Sequence, residues 1–227
     1  MEITRPGVMS LDVTRWPRVM WRYCAGILRL GLRIMFNPMD GFYDLKFEGR
    51  WGAVPLLLLA ALLVRMGGLM WSSYHFSELD PEDTSFLLEF VRIMAPWITW
   101  CIAAYGVSSI SYGEGTFKQI IIASAYCLMP YVLLNLPVVL IFTHILSLNE
   151  KSLFSFLTTC IQLWVAVLFF CQTWVLHNFS FRKAISISTL TLIGILVSWV
   201  LLALVFVLTN QMVQFFAQVI YEFTTRS

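Results

Sequence analysis

The sequence predicts an all-α, polytopic membrane protein with five transmembrane helices, preceded by a cytoplasmic amphipathic helix at the membrane interface. The 227 residues are 59% hydrophobic and only 12% charged, against about 25% charged in soluble domains. A transmembrane helix needs about 20 apolar residues, and in lipid its backbone must satisfy its own hydrogen bonds. Five stretches meet these conditions: 51–71, 86–109, 118–146, 153–177 and 184–209.

Basic residues outside these stretches are asymmetric, which predicts that the N-terminus lies inside and the C-terminus outside. Eight of the fifteen Lys and Arg residues precede the first stretch, and together with Lys118, Arg182 and Lys183 they would lie in the cytoplasm. Only Lys151 and Arg226 would lie outside. The expected divisions are a cytoplasmic leader (1–50), a five-helix transmembrane domain (51–221) and an external tail (222–227).

The leader carries a one-sided arginine stripe. At about 100° per residue, its members fall within an arc of roughly 60° on one helix: Arg15, Arg18, Arg22, Arg29 and Arg33. Pro17 suits a first helical turn and Asn37-Pro38 a helix end, which predicts an amphipathic helix over about 15–36. We expect it to lie in the interface with its arginines on the phosphates of anionic lipids. The alternative is docking on an acidic groove of a partner protein.

Two arginines stand inside predicted spans, where a charge is costly. Arg65 and Arg92 lie near the outer ends of the first and second spans, each about 9 Å below the outer surface. Glu89 is three residues before Arg92, so it can pair along the helix or across to Arg65. We predict a charged cluster of these three residues in the outer leaflet. The alternative is that each arginine snorkels independently to the interface.

The third span contains Pro130 and Pro137 with Asn135 between them. Each proline removes a backbone hydrogen bond, so we expect a kinked or broken helix. Broken helices line substrate sites in some transporters, but they are also simple packing kinks whose freed carbonyls neighbouring helices satisfy. No internal repeat accompanies this break, which favours the packing interpretation.

Signals of catalysis are absent from the sequence. It has no phosphate-binding glycine loop, no G-x-S-x-G elbow and no H-E-x-x-H motif. The five cysteines and three histidines are isolated, without the spacing of a metal site. Gly113 and Gly115 fall in a predicted cytoplasmic turn, where glycine supplies turn geometry. We therefore expect no enzyme activity, no cofactor, no metal and no nucleic-acid partner.

Three short motifs resemble the Yip family, in particular its bacterial branch. They are Phe36-Asn37-Pro38-Met39-Asp40-Gly41-Phe42-Tyr43-Asp44-Leu45-Lys46, then Gly113-Glu114-Gly115-Thr116-Phe117-Lys118 leading to Ser124-Ala125-Tyr126 and Pro130, then Trp164 followed by His177-Asn178-Phe179-Ser180-Phe181-Arg182-Lys183-Ala184. The resemblance covers about residues 36–208 and implies five spans with the N-terminus inside. Eukaryotic Yip proteins are Golgi and endoplasmic-reticulum proteins linked to Rab-type GTPases. Their acidic N-terminal motif is not evident in this leader. Some bacterial relatives look like companions of transport systems.

We expect a non-enzymatic accessory or scaffold subunit of a membrane complex in the bacterial plasma membrane. Its partners would be the lipid bilayer and other membrane proteins, and the permease subunits of an ATP-binding-cassette (ABC) importer are the first candidates, on family analogy. One alternative is a small transporter or channel along the broken third span. Another is a trafficking factor that binds a small GTPase.

Overall fold

The fold is all-α in a computed structural model that describes residues 16–71, 86–145 and 151–226. Within these ranges the chain forms eight helices and no strand, which confirms the all-α part of the predicted fold class for these residues. The helices are α1 (Trp16–Phe36), α2 (Pro38–Glu48), α3 (Ala53–Trp71), α4 (Phe86–Ile110), α5 (Phe117–Cys127), α6 (Met129–Ile145), α7 (Lys151–Leu176) and α8 (Phe181–Arg226).

Four helical segments in the described residues are long and apolar enough to cross a membrane: Phe86–Ile110, Phe117–Val139, Ser152–Leu176 and Phe181–Gln218. The apolar part of α3, Ala53–Leu69, is shorter and measures about 26 Å at 1.5 Å per residue. The protein is therefore a multi-pass membrane protein. Whether α3 crosses the membrane as an additional, fifth span stays a prediction, as does the orientation of the protein in the membrane.

The third apolar stretch is divided at Leu128, where α5 ends and α6 begins. Pro130 is the second residue of α6, a position where its missing N–H costs nothing. No break occurs farther on, because α6 continues through Asn135 and Pro137. The interruption is therefore confined to the residues around Leu128.

The predicted leader is part of the helical core. Ile34 of α1 and Phe42 of α2 are completely buried, and they belong to one cluster with Leu57 of α3, Tyr126 of α5 and Leu168 of α7. Burial of large apolar side chains is the dominant stabilising term in folding. The leader is thus held by the same core as the transmembrane helices.

The first two helices form an antiparallel pair, α1–Asn37–α2, which we call the leader hairpin. Its arms are joined by an ion pair between Arg33 and Asp44, and Gly41 fits closely against Ile34. At its tip, the Trp164 indole N–H donates to the Met35 carbonyl at 3.2 Å. This contact lies about 18 Å along α7 from its end at Leu176. The helix that the sequence predicted over about 15–36 is present as α1. Its inner side packs on the bundle, and its position in the membrane interface stays a prediction.

The last helix is longer than its apolar stretch. The sequence predicted a span over 184–209, whereas α8 runs without interruption for 46 residues. It continues through the predicted external tail as far as Arg226. At 1.5 Å per residue it is about 69 Å long, more than twice the thickness of the hydrocarbon layer.

Candidate functional site

The three motif segments come together at one end of the bundle, which we call the motif end. They are residues 36–46 in α2 and its preceding turn, 113–118 between α4 and α5, and 177–184 between α7 and α8. Lys46 Nζ lies 3.3 Å from Glu114 Oε2, and the Gln119 side-chain amide donates to the Lys46 carbonyl at 3.2 Å. Lys183 Nζ donates to the Ser111 carbonyl at 2.9 Å. These bonds connect segments that are far apart in the sequence.

His177 is at the centre of the motif end. Its side chain is 4% exposed, and its Nδ1 accepts a hydrogen bond from the Gly115 backbone N–H at 3.1 Å. The ring also stacks on Phe179, with 5.3 Å between centroids. Because a backbone N–H donates to Nδ1, this nitrogen is unprotonated and the ring is neutral. Burial, assisted by the positive charge of Lys46, lowers the pKa of His177 from 6.5 to about 4.

The two glycines before α5, Gly113 and Gly115, leave space for the His177 ring, because a side chain at either position would collide with it. A Cβ on Gly113 would lie 2.5 Å from His177 Nδ1, and a Cβ on Gly115 would lie 2.6 Å from His177 Cε1. Neither glycine has a positive φ, and the left-handed residue of this turn is Tyr112, at φ 56°. The expectation that these glycines supply turn geometry is therefore wrong. They leave room for an imidazole ring, and we call Gly113, Gly115, His177 and Phe179 the histidine cluster.

The start of α5 is fixed by a capping box. The Thr116 hydroxyl accepts from the Gln119 backbone N–H at 3.3 Å, and the Gln119 side chain accepts from the Thr116 backbone N–H at 3.0 Å. This reciprocal pair satisfies two N–H groups that have no partner within the helix. Because Gln119 also bonds Lys46, the cap links α5 to the leader hairpin.

A cavity of about 530 Å³ opens beside the histidine cluster, between α2 and the turn from α7 to α8. It is lined by Met39, Asp40, Tyr43, Lys46, Phe47, Trp174, Val175, Asn178 and Phe179. Tyr43 and Phe47 are exposed at its edge. Aromatic side chains around a few polar groups are typical of surfaces that bind another molecule. In the part of the chain that is described, no group of three His, Cys, Asp or Glu residues could hold a metal ion.

The structure brings the three residues of the charged cluster together at the opposite end of the bundle. Glu89 is completely buried; its Oε2 lies 2.9 Å from Arg65 Nε and its Oε1 lies 2.6 Å from Arg92 Nη1. Arg65 also bonds the side chain of Tyr131, one residue after Pro130. The carboxylate of Glu89 thus lies between two guanidinium groups, a contact that links α3 to α4 while Tyr131 adds α6.

The structure shows the side-chain surroundings of three of the five arginines in the stripe. Arg15 lies outside the described residues, and Arg18 is described only as part of the α1 backbone. Arg22, Arg29 and Arg33 are exposed, and Arg33 pairs with Asp44 of α2.

A second exposed sector of α1 is apolar and runs beside the stripe: Trp21, Leu28, Leu32 and Phe36. An arginine face next to an uncovered apolar face is the pattern of a helix at a lipid interface.

Sequence reasoning missed the role of His177, which was treated as isolated. Its partner Gly115 is 62 residues away, so spacing along the chain carries no information about the bond. The available signal was that two glycines flank Glu114 in one motif while a histidine opens the next. Arg50 and Tyr126 were not predicted as site residues either. Both line a second cavity, beside the leader hairpin.

Comparison with known proteins agrees with this arrangement. A family model, the Yip1 domain, matches residues 32–202, which include all three motif segments and the whole of helices α2 to α7. No curated protein matches the chain, and no solved structure matches it. The predicted family is thereby confirmed: this chain is a member of the Yip1 domain family.

Proposed function

We propose that this protein is a non-enzymatic accessory subunit of a membrane complex in the bacterial plasma membrane, and that it acts through lateral contacts. The observation that carries the proposal is the surface of α8. Only its first turns pack on the bundle, where Ala184, Ile187 and Thr191 are buried. From Leu196 to Gln218 every side chain is exposed in the described part of the chain. In a membrane protein, an apolar surface of this kind is covered either by lipid or by another protein.

The length of α8 favours a protein contact over lipid alone. A helix of about 69 Å cannot be covered by a hydrocarbon layer of about 30 Å, even when it is tilted. Polar side chains also continue along its exposed second half: Asn210, Gln211, Gln214 and Gln218. Amides of this kind form interhelical hydrogen bonds in membranes, worth about 1 kcal/mol each. We take the permease subunits of an ABC importer as the first partner to test, on family analogy.

The transporter alternative has less support from the break between α5 and α6. Tyr126, Cys127, Met129 and Pro130 surround this break and are all buried. A substrate path needs a cavity through the break, and of these four residues only Tyr126 borders a described cavity, on the side of the leader hairpin. The trafficking alternative would instead use the 530 Å³ cavity at the motif end for a small GTPase. Its aromatic lining suits a protein ligand. The two charged residues of the lining, Asp40 and Lys46, have opposite signs, so the cavity has no strong net charge.

Site-specific photocrosslinking in the native host tests the proposal. A photoreactive residue replaces Phe206 in the exposed part of α8, and Ile187 in its buried part serves as the matched control. We expect Phe206 to crosslink to one larger membrane protein, identified by mass spectrometry as a permease subunit, and Ile187 to crosslink only within the chain. Crosslinks from Phe206 to lipid alone would contradict the proposal.

The same preparation distinguishes the alternatives. The purified protein in liposomes should transport no solute. Solute flux that is abolished by Asn135→Ala or Tyr131→Phe would show that the protein is a transporter and would contradict the accessory-subunit proposal. Nucleotide-dependent capture of a small GTPase, lost in Phe47→Ala, would instead favour the trafficking factor.

A further inference from the structure

A second cavity, of about 260 Å³, lies between the arms of the leader hairpin and α5. We call it the hairpin cleft. Its charged and hydroxyl-bearing lining residues are Arg29, Arg33, Asp44, Glu48, Arg50 and Tyr126. Three helices and the segment before α3 thus contribute polar groups to one small space beside the bundle core.

The charges of the cleft leave one positive charge in surplus. Arg33 is neutralised by its ion pair with Asp44. Arg29 and Glu48 have no ion pair within the described residues, and Arg50 lies over the Tyr23 ring at 5.4 Å from its centroid. Three guanidinium groups therefore face two carboxylates. A phosphodiester carries one negative charge, so it would complement this surplus, and guanidinium is the side-chain group best suited to phosphate oxygens.

Tyr126 gives the cleft a hydrogen-bond donor from the core. Its side chain is only 2% exposed, yet it lines the cleft. Its hydroxyl makes no hydrogen bond within the part of the chain that is described. The hydroxyl is therefore free to donate to a ligand or to water in the cleft.

The surface around the cleft favours a lipid over a soluble anion. Leu28 and Leu32 are adjacent to Arg29 and Arg33 in α1 and are exposed, as is Phe36 one turn farther on. These three residues do not line the cleft itself; they form an apolar strip that lies beside its arginines on α1 and runs toward the tip of the hairpin. A phosphate held by the arginines would therefore have an uncovered apolar surface beside it, where acyl chains can lie.

We propose that the hairpin cleft binds the phosphodiester of an anionic phospholipid. The guanidinium groups of Arg29 and Arg50 and the hydroxyl of Tyr126 donate to the phosphate oxygens. The acyl chains lie along Leu28 and Leu32. This site is independent of the surface of α8 proposed for partner contact, so either proposal can fail without the other.

Native mass spectrometry of the delipidated full chain in mild detergent tests the proposal. The probes are phosphatidylglycerol, phosphatidylcholine and inorganic phosphate. We expect phosphatidylglycerol to bind at least ten-fold more tightly than phosphatidylcholine. The double variant Arg29→Gln, Arg50→Gln should lower phosphatidylglycerol affinity on the order of 10- to 100-fold, because each charge-assisted hydrogen bond contributes about ten-fold or more.

The matched control is Arg22→Gln, which changes the same helix and the same stripe but does not line the cleft. It should leave affinity within about two-fold. Tyr126→Phe keeps the volume and charge of the core, and should lower affinity several-fold even if the double variant fails to fold.

Three results would overturn the assignment. An equal loss in Arg22→Gln would mean diffuse attraction by the whole stripe. Phosphatidylglycerol affinity unchanged in both Tyr126→Phe and a folded double variant would mean that the cleft charges only brace the hairpin. Tight binding of inorganic phosphate, without preference between the two lipids, would mean a site for a soluble anion.

Discussion

Gly115 donates its backbone N–H to Nδ1 of His177, across 62 residues of chain. The bond joins the turn before α5 to the end of α7, and the absence of a side chain on Gly115 lets the ring approach. Lys46 connects α2 to the same turn through Glu114. The buried His177 ring and the ion pair of Lys46 thus both connect the turn before α5 to neighbouring helices.

Gly115→Ala should destabilise the protein, because the new Cβ would lie 2.6 Å from His177 Cε1 and 2.8 Å from Nδ1. Overpacking of this kind costs about 1–3 kcal/mol. Thermal unfolding in detergent measures the effect. The matched control is Gly106→Ala in α4, where nothing lies within 4 Å of the added Cβ, so it should be neutral or slightly stabilising. Equal melting temperatures for the two variants would contradict the close fit.

Stability should fall in acid because of His177. Its pKa in the folded protein is about 4, below the 6.5 of an unfolded histidine. The contribution is therefore complete above pH 6.5 and is lost as pH falls toward 4, by about 2–3 kcal/mol. Unfolding midpoints of the wild type and His177→Asn, measured from pH 8 to 4, give this slope by difference. A constant difference across that range would mean that the histidine is solvated in the folded state.

Glu89→Ala should be the most damaging single change in the charged cluster. It removes the completely buried carboxylate that accepts from both arginines and leaves two partly exposed guanidinium groups unpaired, so it should cost less than the roughly 3–5 kcal/mol of a fully buried unpaired charge. Arg92→Ala should cost less, because that side chain is about half exposed. Melting temperatures of the single and double variants measure the coupling. Small and equal effects for Arg65, Glu89 and Arg92 would indicate independent snorkelling.

The number of spans can be decided by topology. Five spans with the N-terminus inside place the C-terminus outside, as the basic residues predict. The four longer segments alone would place both termini on the same side. Fusions of a periplasm-active and a cytoplasm-active reporter to each terminus distinguish the two. A C-terminal fusion active only in the cytoplasm would mean that α3 does not cross the membrane.

The sequence was sufficient where one local property decides the structure. Apolar stretches longer than 20 residues predicted the long helices, and the proline directly after Asn37 predicted the end of α1. The spacing of Glu89 and Arg92 likewise made their pairing along one helix turn foreseeable, since residues three apart share a face.

Features that depend on long-range packing were not predictable in this way. The leader was expected to be a separate surface helix, because its arginine stripe gave it an amphipathic appearance. The apolar residues of α1 lie on two different sides of the helix: Ile27 and Ile34 are buried in the core, whereas Trp21 and Leu28 are exposed. A helical wheel cannot distinguish an apolar face that lipid covers from one that another helix covers.

The contact between Met35 and Trp164 also determines when the leader hairpin can complete its packing. The hairpin is synthesised before α7, and its tip bonds to a residue made 129 positions later. At a translation rate of about 5–20 residues per second, that interval is on the order of ten seconds. During it, the hairpin has no α7 on which to pack. Its arginines and exposed apolar residues give the newly made segment affinity for the bilayer surface, which would keep it from aggregating until α7 is inserted.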